Sequence, residues 1–138
     1  MEIMEQDATA PVAGKTPQGH ISVVDDDASI RSALKSLMRS ACYEVEAFAS
    51  AEEFLASEQL SDTACLILDV ALPGMSGLDL QNLLHSERRH IPIIFITAQG
   101  DEASRQRALE GGAVDFLNKP VRRAALFKAI QSAIEARY

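Results

Sequence analysis

Short apolar runs alternate with longer amphipathic stretches from residue 20 to the C-terminus. Five apolar runs have the length of strands, and they occupy residues 21–24, 43–48, 64–68, 91–96 and 113–117. The run at 64–68 is apolar throughout, as expected of a strand buried on both faces of a parallel sheet. The run at 43–48 alternates apolar residues with Glu, which is typical of a strand near a sheet edge. The pattern therefore predicts a sheet in which the third strand is central.

Helical periodicity fills the intervals between these runs. On the first predicted helix, one face carries Ile30, Leu34, Leu37 and Met38. Ser50 and Glu53 have the spacing of a capping box that begins the second helix at Ala51. The fourth helix, at 101–110, is weak, because its apolar residues are one leucine and two alanines, and two glycines end it. Five strands alternating with five helices predict an α/β fold, a parallel sheet with helices on both faces.

The first 19 residues lack this periodicity. Pro and Gly interrupt any local structure there, so residues 1–19 are predicted to form a disordered tail. Residues 20–138 are then one domain of ordinary size, long enough to bury a core without a metal or disulfide.

Composition narrows the classes of function. The formal net charge is −7, and an acidic surface disfavours direct nucleic-acid binding by this chain. No apolar run approaches the ~18 residues of a membrane span, and the N-terminus lacks the features of a signal peptide. Two cysteines, Cys42 and Cys65, are too few for a disulfide framework. They predict a cytoplasmic protein in which both are buried, reduced thiols.

Charged and hydroxyl side chains follow four of the five strands where the strands end. They are Asp25, Asp26, Asp27, Asp69, Thr97 and Lys119. The carboxyl ends of parallel strands meet at one edge of a sheet, where ligand sites form, so these groups are predicted to converge. Asp27 is also placed to cap the helix that follows it.

Such a cluster suits phosphoryl chemistry with a divalent cation. Neighbouring carboxylates repel one another, and Mg²⁺ relieves that repulsion through oxygen ligation. A carboxylate is also a nucleophile that forms an aspartyl-phosphate. The transfer then needs positioning and neutralisation of charge, which the cation, the Lys119 ammonium and the Thr97 hydroxyl are suited to supply.

Four motifs occur in order along the chain. They are Val-Val-Asp-Asp at 23–26, Leu-Asp-Val-Ala-Leu-Pro-Gly at 68–74, Ile-Thr-Ala at 96–98 and Phe-Leu-Asn-Lys-Pro at 116–120. Together they resemble the receiver domain of bacterial two-component response regulators over about residues 20–137. The segment 112–117 looks most like receivers joined to a helix-turn-helix output of the nitrogen-fixation and nitrate-regulator kind. The resemblance implies a flavodoxin-like sheet of strand order 2-1-3-4-5.

The resemblance implies a role for each motif in phosphorylation. Asp69 is expected to accept the phosphoryl group from a partner histidine kinase. Asp25, Asp26, Asp69 and the backbone carbonyl of Ala71 are expected to hold Mg²⁺. Lys119 is expected to pair with the phosphoryl group, and its bond to Pro120 is expected to be cis.

The resemblance also implies a switch. Thr97 is expected to move toward the phosphate, and Phe116 to follow it inward. The weak fourth helix adjoins Thr97, so phosphorylation is predicted to alter the face formed by residues 101–111, the fifth strand and the last helix. That face carries mixed charges suited to a symmetric homodimer contact. The expected role is signalling, with no enzymatic activity beyond phosphorylation and slow dephosphorylation of the domain itself.

Two other classes fit parts of the pattern. A haloacid-dehalogenase-type phosphotransferase would use Asp25 as nucleophile and Asp27 as acid, but such folds are generally longer and would leave Asp69 without a role. A flavodoxin-like electron carrier shares the sheet order. Its flavin phosphate would need uncharged donors after the first strand, where this chain has three aspartates.

Overall fold

The predicted parallel sheet is confirmed in the computed structural model, which describes residues 19–136. Its strands are β1 (His20–Val24), β2 (Glu44–Phe48), β3 (Thr63–Asp69), β4 (Ile93–Thr97) and β5 (Asp115–Asn118). They lie in the order β2-β1-β3-β4-β5, and every neighbouring pair is parallel. The predicted tail falls outside the described residues, apart from Gly19.

In the described part of the chain, five α-helices connect and cover the strands. They are α1 (Ala28–Ser40), α2 (Ala51–Leu55), α3 (Gly77–Ser86), α4 (Glu102–Glu110) and α5 (Arg123–Ala136). A short 3₁₀ helix at Glu58–Leu60, which the apolar pattern did not predict, leads into β3. None of the helices within residues 19–136 is long and apolar enough to cross a membrane.

The predicted bounds of the last two strands were wrong by up to two residues. β4 begins at Ile93 because Pro92 has no N–H to donate to the sheet, although its carbonyl accepts from Leu66 N at 2.9 Å. β5 begins later than predicted because the amide of Ala113 donates to Ala108 O at 3.0 Å, which ends α4. Each of these strands also ends one residue later than its apolar run, at Thr97 in β4 and at Asn118 in β5.

The core consists of two apolar layers, one on each face of the sheet. Under α1 and α5 lie side chains that include Ile21, Val23, Ile67, Ile94 and Ile96. Under α2, α3 and α4 lie side chains that include Val24, Leu66, Leu68 and Phe95. Every residue of β3 is buried, so the end of this strand is held rigidly between both layers.

The two cysteines differ in environment, and the prediction that both are buried was wrong for one. Cys65 has no exposed surface, and burial raises the pKa of its thiol to about 12. Cys42 is exposed and has a φ of +69°. It lies in the turn after α1, beyond the last residue of the helical face that packs on the sheet.

Candidate functional site

The polar groups at the strand ends converge as predicted. They line or underlie an open cavity of about 450 Å³ at the carboxyl edge of the sheet. Its lining includes Asp26, Asp27, Asp69, Ala71, Thr97, Gln99 and Lys119. Asp25 lies beneath it without exposed surface. Four segments that are distant in sequence thus contribute to one site, because their strands are parallel neighbours.

Three carboxylates form the acidic part of the site. Ligand oxygens of Asp25, Asp26 and Asp69 all lie within 4.8 Å of one another. Asp25 and Asp69 are buried, whereas Asp26 is exposed. Oδ1 of Asp25 accepts a hydrogen bond from Asp27 N at 2.9 Å, and its buried Oδ2 faces the ammonium of Lys119 at 2.8 Å. A divalent cation fits this cluster, because it would relieve the repulsion among the three carboxylates through oxygen ligation.

Lys119 supplies the positive charge next to these carboxylates. Its Nζ forms ion pairs with two carboxylates, at 2.8 Å from Oδ2 of Asp25 and 3.3 Å from Oδ2 of Asp69. Burial lowers the pKa of Lys119, but its interactions with the two carboxylates outweigh burial and raise it overall. Its peptide bond to Pro120 is cis, as predicted. The ammonium is therefore charged and faces the open cavity.

Asp69 combines a buried position with access to the cavity. Only 4% of the residue is exposed. Burial and the nearby charge of Asp25 raise the pKa of the Asp69 carboxyl, against the opposing effect of Lys119. Its Oδ1 accepts from Ala71 N at 3.2 Å, which orients the carboxylate at the end of β3.

Gly77 holds the loop after Asp69 close to the strand. Its N–H donates to Val70 O at 2.9 Å. A Cβ atom at this position would collide with the backbone carbonyl oxygen of Asp69 and lie 3.0 Å from Cα of Val70. Because both neighbours are backbone atoms, only glycine fits here without moving Asp69.

We expect Gly77→Ala to lower the free energy of unfolding by about 1–3 kcal/mol, the usual cost of overpacking. The reason is that the added methyl group must displace the backbone at Asp69. Urea denaturation measures the loss, with Asn82→Ala on the exposed side of α3 as the control. Equal stability of the two variants would show that the loop yields freely and does not position Asp69.

Thr97 and Phe116 contact the same loop. Thr97 is 3% exposed, and its Oγ1 accepts from Gln99 N at 3.3 Å. The ring of Phe116 is already buried, 6.2 Å between centroids from Phe95. A Cβ on Gly100 would lie 2.8 Å from the Phe116 ring and 3.0 Å from the Thr97 methyl. The loop after β4 therefore packs directly on both residues, and a shift of either one affects it.

The dehalogenase-type alternative fits this geometry poorly. Oδ1 of Asp27 accepts from Ser29 N at 2.8 Å and from Ile30 N at 3.4 Å, so the residue caps α1 as predicted. Asp25 is completely buried and pairs with Lys119, which leaves it unable to reach a substrate as a nucleophile.

Arg31 is a site neighbour that the sequence did not single out. Its Nη1 donates to the backbone carbonyl of Asp25 at 2.7 Å, from the second turn of α1. Its helical position alone gives no signal of this contact, since the side chain bends back toward the strand end. The bond fixes the backbone beneath the acidic cluster.

Comparison of this chain with known proteins identifies its family. A family model for the response regulator receiver domain matches residues 21–131. Nodulation protein W of Bradyrhizobium diazoefficiens is 52% identical over 115 residues, which are 83% of this chain and 51% of that protein. The transcriptional regulatory protein FixJ of the same species is 38% identical over 119 residues, which are 86% of this chain and 58% of that protein.

A solved structure agrees with these sequence relatives. The response regulator StyR superposes with a TM-score of 0.78 at 44% identity, over 85% of this chain and 59% of that chain. The chain thus spans little more than half the length of these relatives.

Proposed function

We propose, since the chain belongs to the family of response regulator receiver domains, that it is a signalling switch in which Asp69 accepts a phosphoryl group from the histidine of a sensor kinase. The family resemblance predicted from the four motifs is confirmed. The predicted similarity to receivers of the nitrogen-fixation kind is also confirmed, because FixJ is among the relatives of this chain. The observation that carries the proposal is the placement of Asp69: its carboxylate is held at the end of the central strand, beside Lys119, at the floor of an open cavity.

The chemistry follows from this placement. A carboxylate oxygen of Asp69 attacks phosphorus, the bond between phosphorus and the donor nitrogen breaks, and the imidazole of the kinase keeps the electron pair of that bond. The product is an acyl phosphate on Asp69. Lys119 neutralises charge on the phosphoryl oxygens, and the cavity aligns donor and acceptor. Thr97, at the adjacent strand end, is placed to donate a hydrogen bond to the same group.

Magnesium is the cation proposed for the acidic cluster. Asp25, Asp26, Asp69 and the backbone carbonyl of Ala71 would hold it, and oxygen ligands of this kind suit Mg²⁺. When bound, it would offset negative charge on the phosphoryl group. The convergence of the Asp25, Asp26 and Asp69 oxygens within 4.8 Å of one another supports this assignment, because carboxylates held this close repel one another unless a cation lies among them.

We expect Asp26→Asn to weaken Mg²⁺ binding while the stability of the metal-free protein stays the same or rises. The substitution removes one ligand charge and also relieves repulsion among three carboxylates. Asp27→Asn is the matched control, because it removes the adjacent charge and keeps a side chain able to cap α1. Calorimetric Mg²⁺ titration and urea melts measure the two effects. A large loss of metal-free stability would mean instead that Asp26 is structural.

The proposed output is a change in the surface formed by α4, β5 and α5. Ala108 is the one buried residue of α4, so the helix gains little from burial compared with its neighbours. Mixed charges on this surface suit a symmetric contact with a second copy. They are Arg105, Arg107, Glu110, Asp115, Arg122 and Arg123. The switch is proposed to act in the cytoplasm, with a sensor kinase as its partner.

We expect beryllofluoride, a mimic of the phosphoryl group, to change amide hydrogen exchange within residues 97–118. Two conformations a few kcal/mol apart are enough for such a ligand to shift their populations. Hydrogen exchange with and without beryllofluoride measures the effect. Changes confined to residues 69–77 would show that α4 and β5 take no part in the switch.

A further inference from the structure

A buried amide links α3 to α4. Gln81, on α3, is 5% exposed, although Gln is a residue type usually found at the surface. Its Nε2 donates to the backbone carbonyl of Ala108, on α4, at 2.9 Å across 27 residues of sequence. A buried donor is costly to leave without an acceptor, so this bond ties the two helices together at one point.

The bond lies at the C-terminal end of α4. Ala108 is the buried residue of this helix, and its carbonyl also accepts from Ala113 N at 3.0 Å. The backbone of Gly111, the residue after the helix, packs closely against the Gln81 amide. A Cβ at this position would lie 2.8 Å from the carbon, the nitrogen and the oxygen of that amide. The last turn of α4 is therefore held against α3 by the contacts of Gln81 with Ala108 and Gly111, which we call the clamp.

Among the described residues, no hydrogen bond of this kind joins the first turn of α4 to another helix or to the sheet. Its cap is local, since Asp101 accepts from Ser104 N at 2.7 Å. Arg105 and Glu102 form a surface ion pair at 3.8 Å, of a kind that contributes little. This end of the helix follows directly from Gly100, which packs on Thr97 and Phe116.

We propose that Gln81 holds the last turn of α4 in place, so that the first turn moves when the site is phosphorylated. We call this motion the pivot. Movement at Thr97 passes through Gly100 to the first turn of the helix, while residues 108–112 stay fixed on α3. The inference rests on the proposed function and adds how the switch moves: the output surface changes mainly at residues 98–105. Gln81 acts through α4 and does not touch the phosphoryl site, so it is a positioning residue.

The clamp is tested first in the protein without beryllofluoride, by amide exchange resolved for single residues with NMR. Gln81→Met keeps the length of the side chain and removes the donor, and Asn82→Met makes the same change at an exposed neighbour on α3. We expect exchange at residues 108–112 to rise roughly fivefold in Gln81→Met, the factor that one hydrogen bond of ordinary strength supplies, and not in Asn82→Met. Equal exchange in the two variants would overturn the clamp.

The pivot is then tested with beryllofluoride, whose binding is followed separately by ¹⁹F NMR. In the wild type we expect changes at residues 98–105 and none at 108–112, and in Gln81→Met we expect them to spread to 108–112. Equal changes at both ends of α4 in the wild type would overturn the pivot and leave the phosphoacceptor role standing. A lack of bound beryllofluoride would contradict the phosphoacceptor role. The exchange rates of Gln81→Met and Asn82→Met, compared without beryllofluoride, would still decide whether the clamp exists.

Discussion

Asp69→Asn is expected to abolish phosphorylation of the chain by acetyl phosphate and Mg²⁺, measured as intact mass. The amide keeps the shape of the side chain but is no nucleophile, and no other carboxylate combines the nearly buried strand-end position of Asp69 with an opening to the cavity among the described residues. In the wild type, the adduct should be labile to hydroxylamine, as an acyl phosphate is.

A matched control lies at the other end of the same strand. Asp62 is exposed and directly precedes β3, so Asp62→Asn removes one carboxylate without touching the site. This variant should be phosphorylated at the wild-type rate. Undiminished phosphorylation of Asp69→Asn would show that the acceptor is a different residue.

Lys119→Met is expected to destabilise the metal-free protein by about 2–4 kcal/mol, near the cost of removing one partner from a buried ion pair. The substitution leaves the charges of Asp25 and Asp69 facing each other with no cation. The side chains of these residues are 0% and 6% exposed, so water screens them poorly. Urea melts should also show that Mg²⁺ recovers more stability in this variant than in the wild type, because it replaces the lost charge.

Two further variants isolate the cause. Lys128→Met removes an exposed lysine from α5 and should change stability by no more than about 0.5 kcal/mol. Adding Asp69→Asn to Lys119→Met should restore part of the loss, because it removes one of the repelling charges. If Lys119→Met and Lys128→Met were equally stable without metal, the ion pairs of Lys119 would have no role in holding the site together.

The fold and most of the site could be predicted because they depend on local pattern. A continuous apolar run marked β3 as the central strand, and residues at strand ends in a parallel sheet must share an edge. That rule brings Asp69 and Lys119 together without knowledge of any contact. The weakness of α4 was equally visible, since it is a property of its own composition.

Contacts between elements could not be predicted in the same way. The bonds of Gln81 to Ala108 and of Arg31 to Asp25 depend on how helices pack, which periodicity does not specify. Burial of Phe116 against Gly100 depends on a loop conformation. The exposed position of Cys42 follows from a turn with positive φ, which its apolar side chain does not indicate.

The proposed switch depends on one carboxylate, Asp69, as the acceptor of the phosphoryl group. Its most direct test is to phosphorylate the wild-type chain with acetyl phosphate and Mg²⁺, reduce the acyl phosphate with borohydride, and locate the modified residue by peptide mass spectrometry. We expect a single reduced residue, at Asp69. A modified Asp25 would contradict it and favour the dehalogenase-type mechanism.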